Sequence, residues 1–222
     1  VFNDADIDAA VKGVMASKYR NAGQTCVCTN RVFVQQGVLN EFTEKLAIAV
    51  NALTVGNGLT DGVEIGPMIS EKAVDDVEKL VADSIVAGAT VHTGGAKHSS
   101  GNNFYQPTIL TNVTNDMPIA ANEIFGPITP IIVFDSEEEA IEMANNTEYG
   151  LAAYFYSRDI GTIWRVAEGL EFGMVGINEG IISNAAAPFG GVKQSGSGRE
   201  GSKYGLDDYL EIKYLCIGGL NQ

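Results

Sequence analysis

The sequence predicts an α/β fold: a mainly parallel sheet flanked by helices, with a strand extension at the C-terminus. Segments with apolar residues three and four apart alternate with short β-branched and aromatic runs. Those runs are apolar along most of their length, as in sheets covered on both faces. The last stretch of the chain departs from this rhythm. With 222 residues, 45% of them hydrophobic, the chain can build one sizeable core without disulfide or metal staples.

The opening VFNDADIDAAVKGVMASKYRNAG carries an apolar stripe through Ile7, Ala10, Val11, Val14 and Met15. It predicts a helix ending near Gly23, with Asp4 or Asp6 as its cap. GQTCVC follows, then TNRVFVQ as a short strand, so Cys26 and Cys28 sit at a helix-to-strand junction. Phe42, Leu46, Ile48, Ala49 and Leu53 predict a second helix from Leu39, closed by the glycine-rich VGNGLTDG. Val74, Val77, Leu80, Val81 and Ile85 mark a third, which stops before Gly88. ATVHTGG reads as a strand and the polar stretch from Gly94 to Asn103 as a loop. PTILTNV and TPIIVF are strands, and Ser136 opens the helix EEEAIEMANN. AAYFYS and GMVGIN are strands around a helix carrying Val166 and Trp164, the latter assigned to core or helix packing.

After Ser183, NAAAPFGGVKQSGSGREGSKYG is a long glycine- and serine-rich stretch of the kind that is functional, flexible or both. DDYLEIKYLCIGG alternates and predicts a strand, which would pair with a sheet edge in this subunit or another. No internal repeat or compositional break divides the chain. It is read as a catalytic unit over residues 1–203 and a C-terminal segment over residues 204–222.

Fourteen basic against twenty-eight acidic residues give a formal charge of −14, which repels nucleic acid and anionic bilayers. Neither is an expected partner, and an anionic substrate would need a local basic group. No apolar run approaches a membrane span, and the opening lacks the features of a signal peptide, so a cytoplasmic location is expected. Three cysteines and two histidines argue against a structural metal site, since tetrahedral zinc wants four ligands at loop-like spacings.

A reactive thiol needs a lowered pKa, a fixed position and donors aimed at the oxyanion it creates. The turn Gly23-Gln24-Thr25-Cys26 could present such N–H groups, and glycine permits the close approach. Residue types alone leave the alternative open that Cys26 and Cys28 are ordinary buried thiols. His92 and His98 lie in a loop-like region as polar filler, so no local base is evident. GGVKQSGSG is not a phosphate-binding P-loop and no GxGxxG follows a strand; a dinucleotide site would lie mostly elsewhere.

RNAGQTCVCTNR resembles the active-site signature of the aldehyde dehydrogenase superfamily. NEIFGP resembles its cofactor-contacting segment, and PFGGVKQSGSGREG its late substrate-tunnel motif. The resemblance covers essentially the whole chain and corresponds to the later part of a family member. It implies an aldehyde dehydrogenase-like catalytic domain that uses NAD or NADP. It also implies that the cofactor-binding domain, the general-base glutamate and an oxyanion-hole asparagine lie in a region largely absent here. The chain alone is then expected to be inactive, and whether it binds cofactor by itself stays open at this point.

By this resemblance, the Cys26 thiolate attacks the aldehyde carbonyl to give a thiohemiacetal. Hydride then passes to the nicotinamide, and water hydrolyses the resulting thioester. Glu123 would hold the nicotinamide-side ribose, Phe125 would pack by the nicotinamide, Phe189 would line the substrate tunnel, and the Cys26 N–H would form half of the oxyanion hole. Glu168 and Glu200 are not adopted as replacement bases, and Arg199 and Lys203 either contact anions or order the tail.

Within the superfamily the closest resemblance is to succinate-semialdehyde dehydrogenases. Arg20 and Ser183, the latter in NEGIISN, match positions that there bind the distal carboxylate of the substrate. A guanidinium suits that task because it grips a carboxylate bidentately. The alternatives are a solvated arginine in the last helical turn and a loop serine capping its own backbone. Cys28 matches a position that in some of these enzymes forms a reversible disulfide with the nucleophile; otherwise it is a small filler. The expected reaction is NAD(P)-dependent oxidation of succinate semialdehyde to succinate by a homo-oligomer. Alternatives are a broad-specificity or betaine-type aldehyde dehydrogenase, and a structural module acting through the terminal strand.

Overall fold

A computed structural model describes residues 1–219. Helix α1 (Ile7–Val14) starts on Asp6, whose carboxylate accepts from the Ala9 N–H at 3.0 Å. Asp4, the other expected cap, serves a different helix: it accepts from the Ser157 hydroxyl and from the N–H groups of Arg158 and Asp159. The first helix also fails to reach Gly23 in α form. Its hydrogen bonding widens into a π turn (Met15–Tyr19) and then tightens into a 3₁₀ turn (Arg20–Gly23), where Asn21 and Ala22 take φ of 52° and 54°. The widened turn directs three consecutive side chains, Ser17, Lys18 and Tyr19, into the interior, which a regular surface helix does not do.

The chain continues through β1 (Val32–Gln35), α2 (Leu39–Asn51), α3 (Glu71–Val86), β2 (Thr90–Thr93), β3 (Thr108–Val113) and the short α4 (Pro118–Ala121). Then come β4 (Ile128–Phe134), α5 (Glu137–Asn145), β5 (Tyr149–Gly150), β6 (Ala152–Phe155), α6 (Ile160–Gly169), β7 (Met174–Ile177) and β8 (Val192–Lys193). The main sheet has the order β1-β4-β3-β2; β4 is parallel to both neighbours and β2 is an antiparallel edge. A second pair, β6 and β7, is parallel around α6, while β5 and β8 form a short antiparallel pair.

The period of two along the strands divides the interior. Val32, Val34, Ile109 and Ile131 point to α1 and α2, whereas Leu110, Ile128 and Ile132 point to α3. A third cluster joins Phe2, Phe134, Ala140, Phe155 and Val166 beneath α5 and α6. Val1 and Phe2 link the main sheet to the β6–β7 pair: Val1 donates to the Phe33 carbonyl and accepts from the Gln35 N–H, and Phe2 donates to the Tyr156 carbonyl.

Several expectations change. Ile48, assigned to the apolar face of α2, is 72% exposed, and Thr43 takes a buried place instead. Trp164 is 66% exposed rather than core, because the buried Val166 lies two residues on and so roughly 200° around α6. His92 lies on β2, as the strand ATVHTGG predicts, and only His98 lies in the loop. The tail from Ser183 is ordered: Phe189 and Glu200 exchange backbone hydrogen bonds, and Arg199 donates to the carbonyls of Gly191 and Gly198. The predicted terminal strand is not formed within the chain. Tyr204–Tyr209 makes a 3₁₀ turn and residues 210–219 run exposed, since a strand needs an edge to bond to and none receives it among the described residues. The rest of the C-terminal segment, residues 220–222, lies outside the described residues. No helix among the described residues is long and apolar enough to cross a membrane.

Candidate active site

Cys26 sits at the apex of the loop between the 3₁₀ turn and β1, and it is exposed. Its neighbours are tethered on every side. Gly23, at φ +77°, lies against Gly126 so tightly that a Cβ there would be 2.1 Å from the Gly126 carbonyl oxygen. Gln24 accepts from the Ile69 N–H at 2.8 Å, and the Cys28 N–H closes a turn onto the Thr25 carbonyl at 2.9 Å. Val27 is buried, and its carbonyl accepts from the Tyr154 hydroxyl of β6 at 2.8 Å. Thr29 and Ser17 share a hydroxyl hydrogen bond of 2.8 Å, which ties the loop to the π turn. The Cys26 N–H itself donates to no acceptor among the described residues.

Two further residues anchor the loop at its strand end. Asn30 donates to the Asn122 carbonyl at 2.8 Å and accepts from the Ile124 N–H at 2.9 Å. Arg31 donates to Asn115 and to the carbonyls of Met143 and Ala144, which closes the last turn of α5, and stacks 5.1 Å from the Phe33 ring centroid. Burial lowers its pKa to about 10.

Glu123 and Phe125 follow α4, and both project outward; the Phe125 ring is 43% exposed. Phe125 adopts φ 49°, a left-handed conformation that a bulky side chain seldom takes. Its two neighbours hold it there, Ile124 through Asn30 and Gly126 through Gly23.

A cavity of about 420 Å³ opens between the facing edges of β1 and β6. Cys26, Cys28 and Glu123 line it together with Tyr154 and Phe155, whereas Arg20, Phe125, Ser183 and Phe189 do not. Arg20 is half-buried at the end of the π turn, and its Nε is buried without a hydrogen-bond partner. It is therefore not a freely solvated side chain. Burial pushes the Tyr154 phenol up to about 12, and the Arg20 charge nearby opposes that shift. Ser183 is exposed on a loop seated by Gly180, where a Cβ would be 2.4 Å from the Gly13 carbonyl oxygen of α1. Phe189 is half-buried in the ordered tail. Both Cys26 and Cys28 are free thiols, the second half-buried.

Lys18 is the group that sequence reasoning missed. It is 1% exposed, and burial draws its pKa down to about 8, while Cys28 and Glu123 act in the opposite direction. The available signal was its place on the buried stripe, one helical turn beyond Val14 and two beyond Val11. Asn30 carried no such signal, because its partners lie more than ninety residues away, at separations of 92 and 94.

The sequence profile of the aldehyde dehydrogenase family matches residues 1–215. The mitochondrial succinate-semialdehyde dehydrogenase of Mus musculus is 61% identical over 221 residues, which are 99% of this chain and 42% of the relative. The 3-sulfolactaldehyde dehydrogenase of Pseudomonas putida is 57% identical over 222 residues, 100% of this chain and 46% of the relative. The crystal structure of succinate-semialdehyde dehydrogenase from Burkholderia pseudomallei superimposes with a TM-score of 0.96 at 61% identity, covering 98% of this chain and 45% of that one. The chain thus spans less than half the length of these relatives. The matches cover nearly all of this chain, with a close superposition of the fold, and the chain belongs to the aldehyde dehydrogenase family.

Proposed function

We propose that the protein oxidises an aldehyde bearing a distal anionic group, of which succinate semialdehyde is the reference case, with Cys26 as the nucleophile. The observation that carries this reading is the exposed Cys26 thiol, fixed by its tethered neighbours and set beside an unsatisfied N–H. The thiolate adds to the aldehyde carbon, and the carbonyl oxygen, now an oxyanion, accepts from the Cys26 N–H. Oxidation of this thiohemiacetal to a thioester draws on NAD or NADP as the hydride acceptor, and water then releases the acid. The exposed Glu123 carboxylate and Phe125 ring suit such a dinucleotide, the first as an acceptor for sugar hydroxyls and the second as an apolar platform.

Arg20 supports the anionic substrate class: its guanidinium is half-buried, with an unpartnered Nε, in a chain of net charge −14. The mouse and Pseudomonas putida relatives, at 61% and 57% identity, are named for aldehydes that carry a carboxylate or a sulfonate away from the reacting carbon. Ser183 and Phe189 are assigned to the same substrate path. Cys28 is assigned as a redox partner for Cys26, and the exposed apolar side chains Leu210, Ile212 and Tyr214 favour pairing of the terminal segment with another subunit. Mass spectrometry of the full-length protein quenched with acid during turnover tests the nucleophile. An acyl adduct on the Cys26 peptide is expected, and turnover by Cys26→Ala at the wild-type rate would refute the assignment.

A further inference from the structure

We propose that Asn30 is a positioning residue that holds Glu123 in register with the nucleophile loop. This rests on the reading of Cys26 and Glu123 given above. One side-chain amide grips the peptide groups on both sides of Glu123, donating to the Asn122 carbonyl at 2.8 Å and accepting from the Ile124 N–H at 2.9 Å. Because donor and acceptor are both engaged, the amide has one orientation; the flipped form would set oxygen against oxygen and nitrogen against N–H. The Glu123 carboxylate makes no hydrogen bond or ion pair of its own among the described residues, so its backbone fixes where it stands.

The clamp lies four residues after Cys26 in the same loop. A dinucleotide held by Glu123 is thereby referenced to the thiol without any direct contact between the two side chains. Cys26 keeps its other tethers, through Gly23, Val27 and Thr29, when Asn30 is changed. Loss of the clamp therefore separates two properties: the placement of Glu123 loosens, while the reactivity of the thiol stays.

The test uses the full-length protein as wild type, Asn30→Ala, Asn30→Asp, Glu123→Gln and the Asn30→Ala/Glu123→Gln double variant. Asn30→Asp keeps the acceptor for Ile124 at nearly constant shape, which guards against a folding failure. The readouts are NAD(P) affinity by calorimetry, the alkylation rate of Cys26 by iodoacetamide, and amide hydrogen exchange at Ile124 without nucleotide. Asn30→Ala is expected to weaken nucleotide binding roughly tenfold, to speed exchange at Ile124 and to leave alkylation unchanged. Asn30→Asp keeps the acceptor for Ile124 but sets a carboxylate oxygen against the Asn122 carbonyl, so it should slow exchange at Ile124 relative to Asn30→Ala while still binding nucleotide less tightly than wild type. The double variant should bind no more weakly than Glu123→Gln, because Asn30 acts through Glu123. Additive losses, or unchanged binding in Asn30→Ala when Glu123→Gln is impaired, would overturn the positioning role alone. Unchanged binding in Glu123→Gln would overturn the Glu123 reading and this proposal with it.

Discussion

Gly23 and Gly126 meet backbone to backbone: a Cβ on Gly23 would sit 2.1 Å from the Gly126 carbonyl oxygen, and Gly23 has φ +77°. This contact joins the start of the Cys26 loop to the segment carrying Glu123 and Phe125. Asn30 joins its other end to the same segment. Cys26 is thus bracketed by two contacts to one partner, a long way off in sequence.

Gly23→Ala should therefore be costly. The left-handed conformation alone costs about 1–2 kcal/mol for a residue with a Cβ, and the backbone overlap adds to it. Gly58 has open space within 4 Å of where a methyl group would stand and serves as the control. Urea denaturation should show a clear loss for Gly23→Ala and little change for Gly58→Ala. Equal midpoints would mean that the two segments are not in this contact.

Lys18 gives a dependence on pH. Burial lowers its folded-state pKa from 10.5 to about 8, so the charged form penalises the native state. That penalty is full below about pH 8 and fades as pH rises toward 10.5, where the unfolded chain also loses the proton. Lys18→Met removes the group at similar volume. The stability advantage of the variant over wild type should shrink by up to about 3 kcal/mol across that window, measured by denaturation at a series of pH values. A difference that stays constant with pH would place Lys18 in a solvated or paired setting.

Much of this architecture is legible in the sequence because it rests on local periodicity. Ile7 with Ala10, Val11 and Val14, or Val74 with Val77 and Val81, mark their helices by spacing, and Ser136 marks the start of α5. Trp164 misleads because one apolar residue does not say which face of a helix it occupies. Arg31 and Asn30 are invisible as anchors because their partners, mostly main-chain groups, are distant in sequence and only the tertiary fold delivers them. The break after Val14 is equally hidden, since Met15 and Tyr19 would continue a regular helix just as well.

The Cys26 and Cys28 thiols offer a redox test. Only Val27 separates them, and it is buried, so bridging requires the exposed apex of the loop to turn inward. Mild oxidation of the full-length protein should protect both thiols from labelling and abolish activity, with recovery on addition of a dithiol. Continued labelling of both after oxidation would remove Cys28 from any regulatory role.

The most direct test of the functional reading compares kcat/KM for succinate semialdehyde and for butanal in the full-length protein, wild type and Arg20→Ala. A charge-assisted contact from Arg20 to the distal carboxylate should favour the anionic substrate by about 1.5–3 kcal/mol, and the preference should collapse in the variant. A ratio near unity that the substitution leaves unchanged would contradict the anionic-substrate assignment and leave a general aldehyde dehydrogenase in its place.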